Sequence, residues 1–155
     1  MRSVLLIGVA ILAAISTATS RAAETRVVKV LAYYPYGDVS QGTGWFVDSR
    51  VLVTDYHVIR SATNYEVLYE DGMVRRAKLW NWNAGCDLAA LEVQEPRTDQ
   101  KYLTVIADSN KAHQNQLVTA ISYPHGNRTM SQGKLTHAYW SDATTASTSC
   151  SAPMS

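Results

Sequence analysis

The chain has 155 residues, with 14 lysine and arginine side chains against 13 aspartate and glutamate, for a formal net charge of +1 at pH 7. Charged residues make up only 17% and are spread evenly, which excludes the basic stripe of a nucleic-acid binder and the polybasic face of a membrane-surface protein. The length is sufficient for one domain with a core of its own.

In chain order, the first feature is a leader. Met1, Arg2 and Ser3 make a short positive start, Val4 to Ile15 is an unbroken run of apolar residues and glycine, and Ser16, Thr17, Thr19, Ser20 and Arg21 close it. This is the layout of a secretory signal peptide over residues 1–20, with a small-x-small cleavage site after Ser20 or after Ala22. The run is too short for a membrane span, which needs about 20 apolar residues. The mature chain is therefore expected to be secreted or periplasmic, with no membrane segment after cleavage. Roughly 130 residues then remain, room for one domain or for a complete small barrel and an unfinished second one. The two cysteines, Cys86 and Cys150, would meet an oxidising compartment where a disulfide is allowed. Sequence alone does not pair them: either could be a buried thiol or bond elsewhere.

From Arg26 onward, short β-branched and aromatic runs alternate with turn residues. Val27 to Tyr34, Gly44 to Asp48, Val51 to Thr54, Tyr65 to Tyr69, Met73 to Trp80, Leu88 to Val93, Gln116 to Tyr123 and Thr129 to Thr136 read as strands. The punctuation between them is Pro35-Tyr36-Gly37-Asp38, Asp48-Ser49-Arg50, Asp71-Gly72, Glu95-Pro96 and Pro124-His125-Gly126-Asn127. This texture predicts an all-β barrel or sandwich, with one helical turn over His57 to Ala62. Pro96 to Asn115 is more polar and is the natural linker, which divides the mature chain into units over 26–100 and 101–155. The Ser/Thr/Ala-rich tail from Ser141 to Ser155 reads as a loop or frayed end.

One histidine stands in a setting suited to chemistry. His57 follows the apolar strand Val51-Leu52-Val53-Thr54 through Asp55-Tyr56, so it sits where a strand end can aim an imidazole into a cleft. Asp87 heads an otherwise apolar strand, and a half-buried carboxylate there needs a partner. Asp55, in a turn-like spot, reads as a solvated or capping residue. His113, His125 and His137 lack the spacing of a metal site and read as surface histidines. Asn127-Arg128-Thr129 matches a glycosylation acceptor, and Tyr33, Tyr34, Tyr36, Trp80 and Trp82 read as barrel packing.

Three segments taken together carry a resemblance. Gly42-Thr43-Gly44-Trp45-Phe46-Val47, then Thr54-Asp55-Tyr56-His57-Val58, then Asp87-Leu88-Ala89-Ala90-Leu91 resemble the first barrel of trypsin-like serine peptidases, in particular the HtrA/Deg branch. Val118 to Gly126 and Ser131 to Leu135 resemble the opening strands of its second barrel. The resemblance implies a two-barrel fold, with the first barrel complete and the second incomplete, His57 as general base and Asp87 as its orienting partner. It implies polypeptide substrates and neither metal nor organic cofactor. The family's nucleophile motif, G-x-S-G-G, occurs nowhere in the sequence. Thr148 to Ser155 resembles the approach to it, but Ser149, Ser151 and Ser155 lack the flanking glycines that make the tight turn and the oxyanion hole. The 155-residue chain is thus expected to be inactive alone. The rival expectation is a non-catalytic homologue that binds protein, or an inactive fragment.

Overall fold

Between Val27 and Val93 the chain runs through six strands, and over Val27–Tyr33, Val51–Asp55 and Leu88–Val93 buried side chains alternate with more exposed ones, the two-residue period of a half-buried strand. The computed structural model describes residues 10–12, 26–104 and 111–136. Its elements are β1 (Ala10–Leu12), β2 (Val27–Tyr33), β3 (Val39–Phe46), β4 (Val51–Asp55), the helical turn α1 (Tyr56–Ile59), β5 (Asn64–Leu68), β6 (Val74–Asn83), β7 (Leu88–Val93), β8 (Leu117–Ser122) and β9 (Thr129–Lys134). Strands β2 to β7 close into an antiparallel barrel in the order β2-β3-β4-β7-β6-β5, and β8 and β9 belong to a second, open sheet. The all-β class, a complete barrel followed by a partial second one, is as the sequence led us to expect.

The barrel interior is filled by branched aliphatics. Val30, Leu52, Val67, Leu91 and Val93 have no solvent exposure, and each such side chain contributes about 1.5–3 kcal/mol of burial energy. Val58 and Ile59 of α1 close the end where β4 finishes and β7 begins. Phe46 and Tyr69 stack at the other end, with ring centroids 6.0 Å apart.

Strand β3 begins earlier than Gly44. Its full length pairs with β2, from Tyr33↔Val39 to Val27↔Trp45. Ser40-Gln41-Gly42-Thr43 lacks an apolar alternation that would mark it as strand, but the two glycines of β3 have a packing role. A Cβ at Gly42 would lie 2.7 Å from both γ-methyls of Val58, and one at Gly44 would lie 2.8 Å from Leu52 Cδ1 and Val30 Cγ2. Both are closer than packed carbons allow. Glycine at these points lets α1 and the core settle onto the strand.

The aromatic expectation fails in part. Trp80 and Trp82 are 64% and 56% exposed, and Tyr36 is 95% exposed. The register passes from Leu79↔Leu91 to Asn81↔Ala90, skipping Trp80, so the strand carries a β-bulge there. A six-stranded barrel already filled by aliphatics and one phenylalanine has no room for indoles. Tyr33 and Tyr34 are partly buried, and Tyr33 donates its hydroxyl hydrogen bond to Glu66 at 2.7 Å.

Thr43 joins the second sheet to the barrel. Its hydroxyl accepts the Tyr123 N–H at 3.1 Å, while its carbonyl accepts the buried Thr54 hydroxyl at 2.9 Å. Val27, Ile121 and Tyr123 form a small core beside it, with Trp45 packed against them. The connecting segment is held by Arg97, which bonds Asp71 and Asp99, and by the Leu103 N–H donating to the Phe46 carbonyl at 2.9 Å. Strand β1 falls within the apolar stretch from Val4 to Ile15 and pairs antiparallel with β8, from Ala10↔Ile121 to Leu12↔Thr119.

Two outcomes follow from this packing. Leu91→Ala should cost about 2–5 kcal/mol in urea unfolding, whereas Trp80→Ser should change stability by no more than about 0.5 kcal/mol. Gly42→Ala should cost about 1–3 kcal/mol through forced overpacking against Val58, and the His57 ring resonances should shift in the NMR spectrum as α1 is displaced.

Candidate active site

The end of the barrel closed by α1 brings together the two residues singled out in the sequence. Strand β4 delivers the chain to α1, whose second residue is His57. Strand β7 pairs with β4, with Asp55 opposite Leu88, so Asp87 lies immediately beside the start of α1. A 3₁₀ turn over Ala84–Cys86 precedes it, capped by the Asn83 side chain accepting from Cys86 N–H at 3.1 Å. Asp87 itself takes the left-handed conformation, with φ 52° and ψ 39°, a backbone state that aspartate tolerates better than most residues.

The Asp87 carboxylate has two attachments, both on one residue. One oxygen accepts the backbone N–H of His57 at 2.8 Å, and the other lies 2.6 Å from His57 Nδ1. The Asp87 carbonyl also accepts the Tyr56 N–H at 3.0 Å. With Nδ1–H donated to a carboxylate, the neutral ring keeps its lone pair on Nε2. That nitrogen is shielded from solvent and has no hydrogen-bond partner among the described residues. The His57 and Asp87 side chains are 30% and 50% exposed, so the pair is reachable from the surface.

Asp55 departs from its expected role. It holds the cap position of α1, with φ −72° and ψ 136°, yet its side chain makes no capping hydrogen bond. The first two N–H groups of the turn, on Tyr56 and His57, are both bonded by Asp87. Asp55 is neither fully solvated nor capping; it is half-buried. Burial pushes its carboxyl above the usual aspartate range, the charge of His57 opposes that, and the charge of Asp87 reinforces it. Sequence reading missed it because an aspartate at a cap position is ordinarily satisfied where it stands.

Of the other histidines, His113 is exposed, His125 sits in a 3₁₀ turn over Pro124–Gly126, and His137 lies outside the described residues. Among the described residues no three His, Cys, Asp or Glu side chains gather as metal ligands would. Cys86 is disulfide-bonded; Cys150, the only other cysteine in the sequence, lies outside the described residues, as do Ser149, Ser151 and Ser155.

Comparison with known proteins agrees with this architecture. Residues 42–154 match the family model of the trypsin-like peptidase domain. The probable periplasmic serine endoprotease DegP-like of Bartonella henselae is 37% identical over 90 residues, covering 57% of this chain and 17% of the relative. The protein of the same description from Rhizobium meliloti is 34% identical over 89 residues, covering 56% and 17%. Among solved structures, the active form of a protease from M. tuberculosis superposes with a TM-score of 0.66 at 26% identity, covering 74% of this chain and 49% of that one. The HtrA-type protease AlgW with a tripeptide shares the fold, with a TM-score of 0.68 at 24% identity over 77% of this chain and 38% of its own. The chain thus spans less than half the length of each of these proteins. A closed β-barrel, a partial second sheet and a family match over most of the chain together establish that it belongs to the trypsin-like peptidase family, with relatives of the DegP/HtrA type.

Proposed function

We propose that this chain supplies the histidine and aspartate of a serine endopeptidase that works outside the cytoplasm. The observation that carries the reading is the 2.6 Å contact between His57 Nδ1 and Asp87, with Nε2 left unpartnered among the described residues. A base that must collect a proton from a hydroxyl needs one nitrogen held by a carboxylate and the other without a partner, its lone pair unspent.

In the proposed reaction, His57 Nε2 takes the proton of a serine hydroxyl as its oxygen attacks the carbonyl carbon of a peptide bond. The imidazolium then gives that proton to the leaving amine nitrogen as the C–N bond breaks, leaving an acyl-enzyme. Water attacks the ester in the same way, and the serine is regenerated. Asp87 fixes the tautomer and stabilises the imidazolium. Neither metal nor organic cofactor enters any step. The nucleophile is assigned to a G-x-S-G-G motif beyond Ser155, within about ten codons, because the motif is absent from these residues and its glycines cannot be replaced. Residues 26–100 are the first barrel on this reading, and residues 101–155 begin the second. Because G-x-S-G-G is missing here, a protein-binding homologue without catalysis is the second reading.

The relatives' description as periplasmic supports export, as does the leader over residues 1–20. Expressed with its leader in a bacterium, the chain should be recovered from the periplasm, and N-terminal sequencing should begin at Arg21 or Ala23.

A serine-directed fluorophosphonate should fail to label the 155-residue chain. It should label a version extended through the downstream coding sequence, and His57→Ala in that version should abolish labelling. Asp87→Asn should slow it by about 10⁴-fold. Labelling of the 155-residue form would move the nucleophile, and a stop codon after Ser155 would favour the binding reading.

A further inference from the structure

The second sheet and the turn that carries the histidine both rest on one short piece of β3. Tyr123, the residue after β8, donates its backbone N–H to the Thr43 hydroxyl at 3.1 Å. The 3₁₀ turn that follows it lies against the same strand, since a Cβ on Gly126 would stand 2.9 Å from Gln41 Oε1. On the barrel side, the Thr43 carbonyl accepts the Thr54 hydroxyl at 2.9 Å, and Thr54 is three residues before His57. Gly42, next to Thr43 in the chain, is the point on which Val58 of α1 packs.

We propose that Thr43 is a positioning residue for His57: by holding Tyr123 with its hydroxyl and Thr54 with its carbonyl, it fixes where the second sheet stands relative to the turn that carries the imidazole. The kinetic consequence rests on the reading of His57 as the base of a serine peptidase whose nucleophile follows in the second unit; the mechanical link does not.

Burial makes the link directional. Thr43 is 3% exposed and Thr54 has no exposure, and a backbone N–H enclosed at such a junction must find an acceptor or lose its hydration without return. Valine has nearly the shape of threonine but no oxygen, so Thr43→Val strands the Tyr123 N–H while leaving the packing close to what it was. The bonds beside this one are longer: the Tyr123 hydroxyl donates to the Val27 carbonyl at 3.4 Å, and Lys29 Nζ donates to the Gly126 carbonyl at 3.4 Å. Val27, Ile121, Tyr123 and Trp45 supply apolar contact across the junction, which holds the sheet close but sets no register, because apolar attraction has no direction. Coupling then needs a chain of packed groups. From Thr43 it runs to His57 through Thr54 on one side and through Gly42 and Val58 on the other. A base displaced by about 1 Å from its reacting atom loses about 10²-fold in rate, so a small slip of the sheet is enough to matter.

The test begins with the 155-residue chain. In Thr43→Val the Tyr123 amide should exchange with solvent deuterium about 10-fold faster or more, and the His57 ring resonances should move in the NMR spectrum. Thr43→Ser keeps the hydroxyl and should return both to the parent values. Val67→Ala, a truncation in the barrel core on β5, should leave the ring resonances in place, which separates the link from a general loss of stability. Thr43→Ala replaces the valine variant if that one does not fold. Ring resonances that stay put in Thr43→Val, that move as far in Val67→Ala, or that Thr43→Ser does not restore overturn the proposal. In the extended chain, the saturating rate of fluorophosphonate labelling should fall about 10-fold in Thr43→Val, with the half-saturating concentration unchanged and Thr43→Ser restoring the rate. An extended parent chain that fails to label counts against the peptidase reading and leaves the NMR result to decide on Thr43, whereas a labelled parent with an unmoved saturating rate in Thr43→Val counts against Thr43.

Discussion

Two oxygens of one carboxylate decide the geometry of this end of the barrel. Asp87 holds the backbone of His57 with one and its ring with the other, so a single residue fixes both where the helical turn starts and how the imidazole faces. Charge-assisted bonds of this kind are about twice as strong as neutral ones. They are available because β7 lies against β4, which places the residue before Leu88 next to the residue after Asp55. The left-handed backbone at Asp87 completes the arrangement by turning its carbonyl toward Tyr56 N–H while the side chain reaches His57.

That arrangement needs a firm floor, and β3 provides it. Gly42 lets Val58 descend onto the strand, Gly44 lets Leu52 and Val30 meet across it, and Thr43 between them is bonded through its carbonyl to β4 and through its hydroxyl to the second sheet. The Gly-Thr-Gly sequence thus works as a joint: two residues without side chains where the interior is crowded, and one hydroxyl where two sheets meet. A shift of the second sheet would be felt at Thr43, one residue from the contact that seats α1.

Much of this was legible in the sequence, for identifiable reasons. Strands with apolar alternation, such as β4 and β7, were read at nearly their full length, and the spacing of His57 and Asp87 between them carried the resemblance to trypsin-like peptidases. The first half of β3 was not legible, because close packing against glycine leaves no hydrophobic period to detect. Trp80 was misread because a bulge shifts the strand register, and nothing local announces it. Asp55 was misread because the N–H of His57, one of the donors it could cap, is bonded by a residue far along the chain, which only the tertiary structure reveals.

The pairing of β1 with β8 marks the difference between the two sheets. In the closed barrel, β2 is flanked by β3 on one side and β5 on the other; in the open sheet, β8 is flanked by β9 and, over three residue pairs, by Ala10–Leu12. Those three pairs cover only half of β8, whose six residues all pair with β9 on the other side. The backbone on that edge left uncovered among the described residues is a row of donors and acceptors to which another extended segment could bond, so the second sheet has room to grow where the barrel has none.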